Sequence, residues 1–353
     1  SLVDKGCIVT VFAPNHTRET TTLLNDLGAF VASFPMVRAG ISPLRDLLSI
    51  LSLFSLFLKK KPDVVLTYFV KPNIWGIFSS FLARVPWRVS IVEGMGYAFT
   101  ANSFGSRSFL QRVTSWFILL LYRLSFSLSN RVVVLNSDDL NQLVDSSGLS
   151  PAKSFLLGGI GVQLDKWPMC IPSTDPITFT MVSRLLKEKG VFEFLDAAYL
   201  IHKSYPSVRF CLLGGFDDNP GSITSQQISR WLNQEYISMP GHVDVRPWLQ
   251  SSSVFVLPSY REGFPFSTQE AMSMGLPVIT TDVPGCRETV INDLNGFIVP
   301  PRDSLALAHA MHKFISDPSL ITHMGMQSRR FAELHFDVRT KDQMLIDLLC
   351  NHN

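Results

Sequence analysis

Short apolar runs recur along the chain, separated by longer stretches of mixed polarity. Residues 7–13, 64–68, 89–92 and 131–135 are continuous and rich in Val and Ile, the mark of strands buried on both faces. A proline-containing stretch at 167–176 (Pro168, Pro172, Pro176) interrupts the pattern, which then starts again. Residues 177–182, 208–213, 254–257 and 277–280 are the second set of strands, with helices predicted over 190–204, 223–235 and 267–274. Strand–helix alternation implies parallel, doubly wound sheets, and the restart implies two of them. The expected boundary divides residues 1–168 from 169–337, with a last helix at about 340–349, within 338–353, free to return to the first domain.

The opening departs from this scheme. A doubly wound domain normally begins with a central strand and a turn that approaches the ligand. Residues 1–6 look instead like the end of a helix, and there is no initiator Met. The expectation is a first domain lacking its opening strand, through truncation of the sequence.

Two apolar runs, 47–58 and 113–122, are longer than a strand and shorter than the roughly 20 residues of a spanning helix. Bases flank both: Arg45 and Lys59, Lys60 and Lys61 around the first, Arg112 and Arg123 around the second. Core helices and helices lying in a membrane interface explain these runs equally well. Composition adds that 46% of residues are hydrophobic and 17% charged, which argues against disorder. Five cysteines without metal-site spacing suit reduced thiols. The net charge of +2 conceals a basic half, 16 Lys and Arg against 10 Asp and Glu in 1–168, and an acidic half, 15 against 19 thereafter. An anionic surface facing one half fits this asymmetry, as does an even spread of charge over the basic half.

Candidate chemistry concentrates in 261–301. The strand at 254–257 delivers its loop to the carboxyl end of a parallel sheet, where such sheets bind ligands. Ser267 and Thr268 are N-cap candidates for the next helix, whose free amides suit a diphosphate. Glu270 is expected in its first turn, and Gly263 lets backbone approach a sugar closely. Glu262 and Glu270, eight residues apart, suit two hydroxyl-rich groups on either side of that diphosphate. An ordinary solvated surface carries the same spacing, so spacing alone does not decide.

The wider motif resembles the family-four retaining glycosyltransferases of the GT-B fold. It runs from Arg261 through Ala271, Gly275, Pro277 and Asp282 to Glu288, then on to Asn295, Gly296 and Pro300. The bacterial branch that builds lipid-linked oligosaccharides, of the undecaprenyl-diphosphate-bacillosamine N-acetylgalactosaminyltransferase type, is the nearer likeness. It covers most of residues 60–340 and is specific over 177–302. The resemblance implies that Glu270 holds the ribose hydroxyls of the nucleotide and Glu262 those of the donor sugar, beside Gly263 and Phe264. It implies that Arg184 and Lys189 grip the diphosphate, so that Glu262, Arg184 and Lys189 form the catalytic set. Gly214 and Gly215 would lie near the nucleotide, and the loop with Val243 and Asp244 would read the base through its backbone. Lys71, Asn73, Gly94 and Gly96 also match this branch and are acceptor-side candidates. Glu93 is a further candidate base that the retaining chemistry does not need.

The family's Asp-x-Asp-free pattern holds throughout the chain, so no metal or other cofactor is expected. Phe266 stands where the branch often has a polar residue, and Gln163 replaces a common acid. The implied function is transfer of a hexose or N-acetylhexosamine from a UDP-sugar to a polyprenyl-diphosphate-linked saccharide. It would take place in the cytoplasm, on the inner face of the plasma membrane, with no nucleic-acid partner. Two alternatives remain open: a nucleotide-sugar epimerase or hydrolase of the same fold, and an inactive truncated fragment.

Overall fold

The computed structural model describes residues 2–37, 42–96, 99, 108–217, 221–232 and 234–350. Tyr97 and Ala98 of the acceptor-side motif, Asp218, Asn219 and Pro220 of the loop after Gly215, and residues 351–353 lie outside them.

The chain opens with two turns rather than a helix end, Gly6 N–H bonding to the Val3 carbonyl at 2.9 Å. Among the described residues, strands β1 (Thr10–Ala13) and β2 (Phe30–Ser33), with helix α1 (Arg18–Asp26) between them, pair only with each other. Helix α2 (Pro43–Lys60) follows. Strands β3 (Val64–Tyr68), β4 (Trp87–Val92), β5 (Arg131–Val134) and β6 (Ser154–Leu156) form a parallel sheet in sequence order. A π-turn at Pro72–Gly76, then α3 (Ile77–Leu82), α4 (Phe109–Leu128) and α5 (Ser137–Ser147) make the connections. The caps are the expected ones: Asn136 Oδ1 accepts the Asp139 N–H at 2.7 Å, and Gly148 ends α5 in the left-handed region.

The second sheet contains β7 (Thr178–Val182), β8 (Arg209–Leu213), β9 (Ile237–Gly241), β10 (Val254–Leu257), β11 (Val278–Thr281) and β12 (Gly296–Val299). Its order is β12-β11-β10-β7-β8-β9, all parallel. The chain therefore moves outward from β7 on one side and then restarts at β10 on the other. Between β7 and β10 lies the switch point, where the loops splay apart and leave a crevice. Helices α6 (Val191–Ser204), α7 (Arg246–Gln250), α8 (Phe266–Ser273), α9 (Ser304–Ser316) and α10 (Ser319–His335) flank this sheet, and Phe179, Phe194, Phe210 and Phe255 are wholly buried in its core.

The helix expected over 223–235 is a correction. Described residues there form successive turns, with Gln227, Trp231 and Gln234 N–H groups each bonding three residues back. The apolar spacing still buries Ile228 and Trp231. Thr224 and Gln227 bond each other's backbone N–H groups as in the capping box of a helix start, but the chain continues as three-residue turns.

The chain passes between the sheets twice, and the two crossings touch: Val162 N–H bonds to the Phe336 carbonyl and Val338 N–H to the Val162 carbonyl, at 2.8 and 3.1 Å. Helix α11 (Val338–Cys350) then packs Met344, Leu345 and Leu349 against Val89, Ile91 and Val133 of the four-stranded sheet.

Candidate functional site

A cleft of about 320 Å³ opens at the carboxyl ends of β7, β8 and β10, at the switch point. Val182, Leu213 and Leu257, the last residues of those strands, form its floor, and Arg184, Lys189, Glu262, Ser267 and Glu270 supply its polar groups.

Close backbone approach assembles this cleft. A Cβ on Gly190 would fall 2.1 Å from the Pro258 carbonyl oxygen, and its φ of +74° is left-handed, so only glycine fits. That contact brings Lys189 beside the end of β10. Its ammonium donates to both oxygens of Glu262, at 2.6 and 2.8 Å, and the Ser259 hydroxyl donates to Oε1 at 2.7 Å. Arg184, following β7, pairs with Asp217 at 2.9 Å.

Glu270 differs. Burial raises its carboxyl to about pKa 7. A half-buried carboxyl of this kind, facing an open cleft, is suited to ligand hydroxyls.

Several expected residues sit elsewhere. Helix α8 begins at Phe266, with Pro265 in the cap position, so neither Ser267 nor Thr268 is its cap and Glu270 lies beyond its first turn. Proline supplies a fixed φ there and no cap hydrogen bond. Pro265, Phe266 and Ser267 still place the helix N-terminus on the cleft wall. Thr268 faces inward and is wholly buried.

Gly263 is required by the protein itself: a Cβ there would lie 1.4 Å from the Glu93 carbonyl oxygen. Gly94, at φ +146°, meets Gly263 from the other side. Phe264 turns away to stack edge-on against Phe336. Gly214 is needed because a Cβ would come within 1.8 Å of the Ser183 carbonyl oxygen, and Gly215 accepts the Leu185 N–H at 3.0 Å. Val243 lines the cleft, while Asp244 points to solvent in a two-bond pair with Arg246. His242, which the expectation did not name, also lines the cleft.

On the acceptor side, Asn73 is corrected to a structural residue. It is wholly buried, accepts from the Thr67 hydroxyl at 2.7 Å and donates to the Ile91 carbonyl at 2.8 Å. Lys71 is held by Asp46 at 2.8 Å. Gly96, at φ +80°, has open space around its Cβ position. Burial pushes the Glu93 carboxyl up.

Two cations, two carboxyl groups and a helix N-terminus thus meet in one cleft at the switch point of the second sheet. Residues 176–317 match the family described as "Glycosyl transferases group 1", and residues 1–157 match the "Glycosyl transferase 4-like domain". The chain belongs to the group 1 glycosyltransferases. It is 27% identical, over 96% of its length and 89% of the relative's, to N,N'-diacetylbacillosaminyl-diphospho-undecaprenol alpha-1,3-N-acetylgalactosaminyltransferase of Campylobacter jejuni. Identity is also 27%, over 94% of this glycosyltransferase and 87% of the relative, to UDP-Gal:alpha-D-GlcNAc-diphosphoundecaprenol alpha-1,3-galactosyltransferase of Escherichia coli. Among solved structures, Anabaena Alr3699/HepE in complex with UDP-glucose superposes with a TM-score of 0.76 at 20% identity, over 97% of this chain and 91% of that one. The fold is GT-B, two Rossmann-like domains.

Proposed function

We propose that this glycosyltransferase moves a hexose or N-acetylhexosamine from a UDP-sugar to a polyprenyl-diphosphate-linked saccharide, with retention at the anomeric carbon and without a metal. In this reading residues 1–168, with α11 returned to them, hold the acceptor, and residues 169–337 hold the donor. The observation that carries it is the set of groups gathered in one cleft at the switch point: the cations Arg184 and Lys189, the N-terminus of α8, and the carboxyl groups of Glu262 and Glu270. In this reading Glu270 takes the nucleotide and Glu262 the sugar. Two cations and a helix end neutralise charge growing on the leaving diphosphate. Glu262 accepts sugar hydroxyls while Lys189 bridges it to the phosphates. The incoming hydroxyl attacks from the face the diphosphate leaves, and a diphosphate oxygen takes its proton. The relatives' substrates, undecaprenyl-diphosphate-linked sugars, support the acceptor class.

The deciding experiment incubates the protein with UDP-glucose, UDP-galactose, UDP-N-acetylglucosamine and UDP-N-acetylgalactosamine, with and without polyprenyl-diphosphate-linked acceptors. Transfer should require the acceptor. An altered or hydrolysed sugar formed without acceptor would point to an epimerase or hydrolase instead.

The same proposal places the enzyme on an anionic membrane surface through α2, α3 and α4, which pack side by side. Among the described residues no helix is long and apolar enough to cross a membrane. Yet Leu44, Leu47, Leu48 and Leu51 on α2 are exposed, as are Phe109, Val113, Trp116 and Leu120 on α4, at the three-and-four spacing of one face. Phe109 is 83% and Trp116 64% exposed. Over residues 42–61, 71–84 and 108–128 the one acid is Asp46, buried against Lys71. The bases there include Arg45, Lys59–Lys61, Arg112 and Arg123. An apolar face carrying only positive charge matches anionic lipid. Co-sedimentation with vesicles rich in anionic phospholipid should fall at least about tenfold for Trp116→Glu combined with Leu120→Glu. Undiminished binding would remove this surface from the proposal.

A further inference from the structure

We propose that Glu262 is positioned from across the cleft: Asp139, acting through Arg261, and Asn136, acting through Gly263, are positioning residues for transfer. This rests on the reading of Glu262 as the carboxylate that holds the donor sugar.

The residues on either side of Glu262 are each tied to the first turn of α5. Arg261 Nη2 donates to Asp139 Oδ1 and, at 2.9 Å, to Gln142 Oε1. Asn136 Nδ2 donates to the Gly263 carbonyl at 2.5 Å and to Asp139 Oδ2 at 3.0 Å. Between these two anchors, the Glu262 N–H bonds to the Pro284 carbonyl at 3.0 Å, and Gly263 has no room for a Cβ against Glu93. The three-residue loop therefore has no independent freedom. Its backbone is held from both halves, with the contacts to Arg261 and Gly263 coming from the four-stranded one, while its carboxylate is used in the other half.

Burial gives this link its strength. Asp139 is wholly buried and Arg261 nearly so. Burial pushes the Asp139 carboxyl up, and Arg261 and Asn136 oppose that rise by favouring the charged form. A buried partner removed leaves its counterpart with neither solvent nor pair. A second pair from the same helix turn, Arg287 with Asp138 at 2.8 Å, lies over a third exposed and supplies an internal control. The same two halves meet there, but no residue adjoining Glu262 is involved.

Transfer and UDP binding separate the roles. Using whichever UDP-sugar of the panel above turns over, Asp139→Asn should lower kcat at least tenfold while the dissociation constant for UDP, which lacks the sugar, stays within twofold. Asp138→Asn should change neither. The double variant Asp139→Asn with Glu262→Gln should be no slower than Glu262→Gln alone, because Asp139 works through that carboxylate. Multiplying losses, or a UDP affinity that falls in step with kcat, would reduce Asp139 to a general stabilising role and overturn the proposal. Wild-type kcat in Asp139→Asn would overturn it as well. Should that variant fail to fold, Gln142→Leu, which removes one acceptor from Arg261, should show the same split at threefold or more, and unchanged kcat there counts against the proposal. If Glu262→Gln itself transfers at the wild-type rate, it is the donor-site reading that falls.

Discussion

Replacing Lys189 by Ala should lower kcat/KM about 100- to 1,000-fold in the transfer assay, the scale on which removing one fixed stabiliser of transition-state charge acts. The ammonium has three N–H donors. Two are committed to Glu262 at 2.6 and 2.8 Å, leaving one for the diphosphate in the proposed reading. In that reading Lys189 joins the sugar-binding carboxylate to the leaving group, so its loss would damage both. Glu262 would remain largely buried with Ser259 as its surviving partner, and an uncompensated carboxylate adds to the cost. Lys189→Arg should recover little, because the guanidinium, although able to fork onto the carboxylate, is longer and bulkier than the largely buried ammonium it would replace. A loss below tenfold in the Ala variant would remove Lys189 from the catalytic set.

Affinity for the UDP-sugar should rise about tenfold between pH 6 and pH 8, and Glu270→Gln should abolish the rise. The Glu270 carboxyl, ordinarily at 4.5, is raised to about 7 by burial. If the carboxylate is the form that accepts ribose hydroxyls, then below pH 7 donor binding must first release a proton. About one molecule in eleven is ionised at pH 6 and most are at pH 8, which sets the tenfold span. Calorimetry with the intact UDP-sugar is the right measurement, since free UDP has a titrating terminal phosphate. The same shift works against the empty protein. The unfolded chain ionises Glu270 near 4.5 and the folded chain near 7, so folding stability is lost as pH rises across that window and stays low above it. Glu270→Gln should therefore raise Tm at pH 8 more than at pH 5, while weakening donor binding at pH 8. A flat affinity profile in the wild-type protein would mean that Glu270 does not hold the ribose as an anion.

The second sheet was largely legible in the sequence because its strands are buried on both faces and read as unbroken apolar runs. Residues 254–257 match β10 to the residue. The place of the cleft followed, since a parallel strand delivers its loop to the edge where such sheets bind ligands; the roles of Glu262 and Glu270 came only with the family resemblance, because their spacing equally suits a solvated surface. Legibility failed where tertiary contact overrides local pattern. Asn73 looked like a cleft residue because it follows a strand; the π-turn at Pro72–Gly76 instead rotates its amide into the core, onto Thr67 and Ile91. Gly263 was attributed to ligand approach, and only the position of Glu93 from a distant loop shows what it accommodates. The roles of Asp139 and Arg261 could not be paired, being 122 residues apart. One local signal did exist: Asn136 before Ser137, Asp138 and Asp139 is a helix start, which places those acids just past the carboxyl end of a strand.

Helix α11 has a consequence for how the chain is made. Its Leu345, Leu348 and Leu349 cover one face of the four-stranded sheet, and Trp87 Nε1 donates to the Leu348 carbonyl at 3.1 Å. The partner of strands near residue 90 is thus synthesised some 250 residues later. A ribosome emitting about 5–20 residues per second would leave that apolar face open for on the order of ten seconds or more, while the six-stranded sheet, whose elements lie within one continuous segment, can close first. In the growing chain the half built on the six-stranded sheet is therefore expected to finish before the half that precedes it.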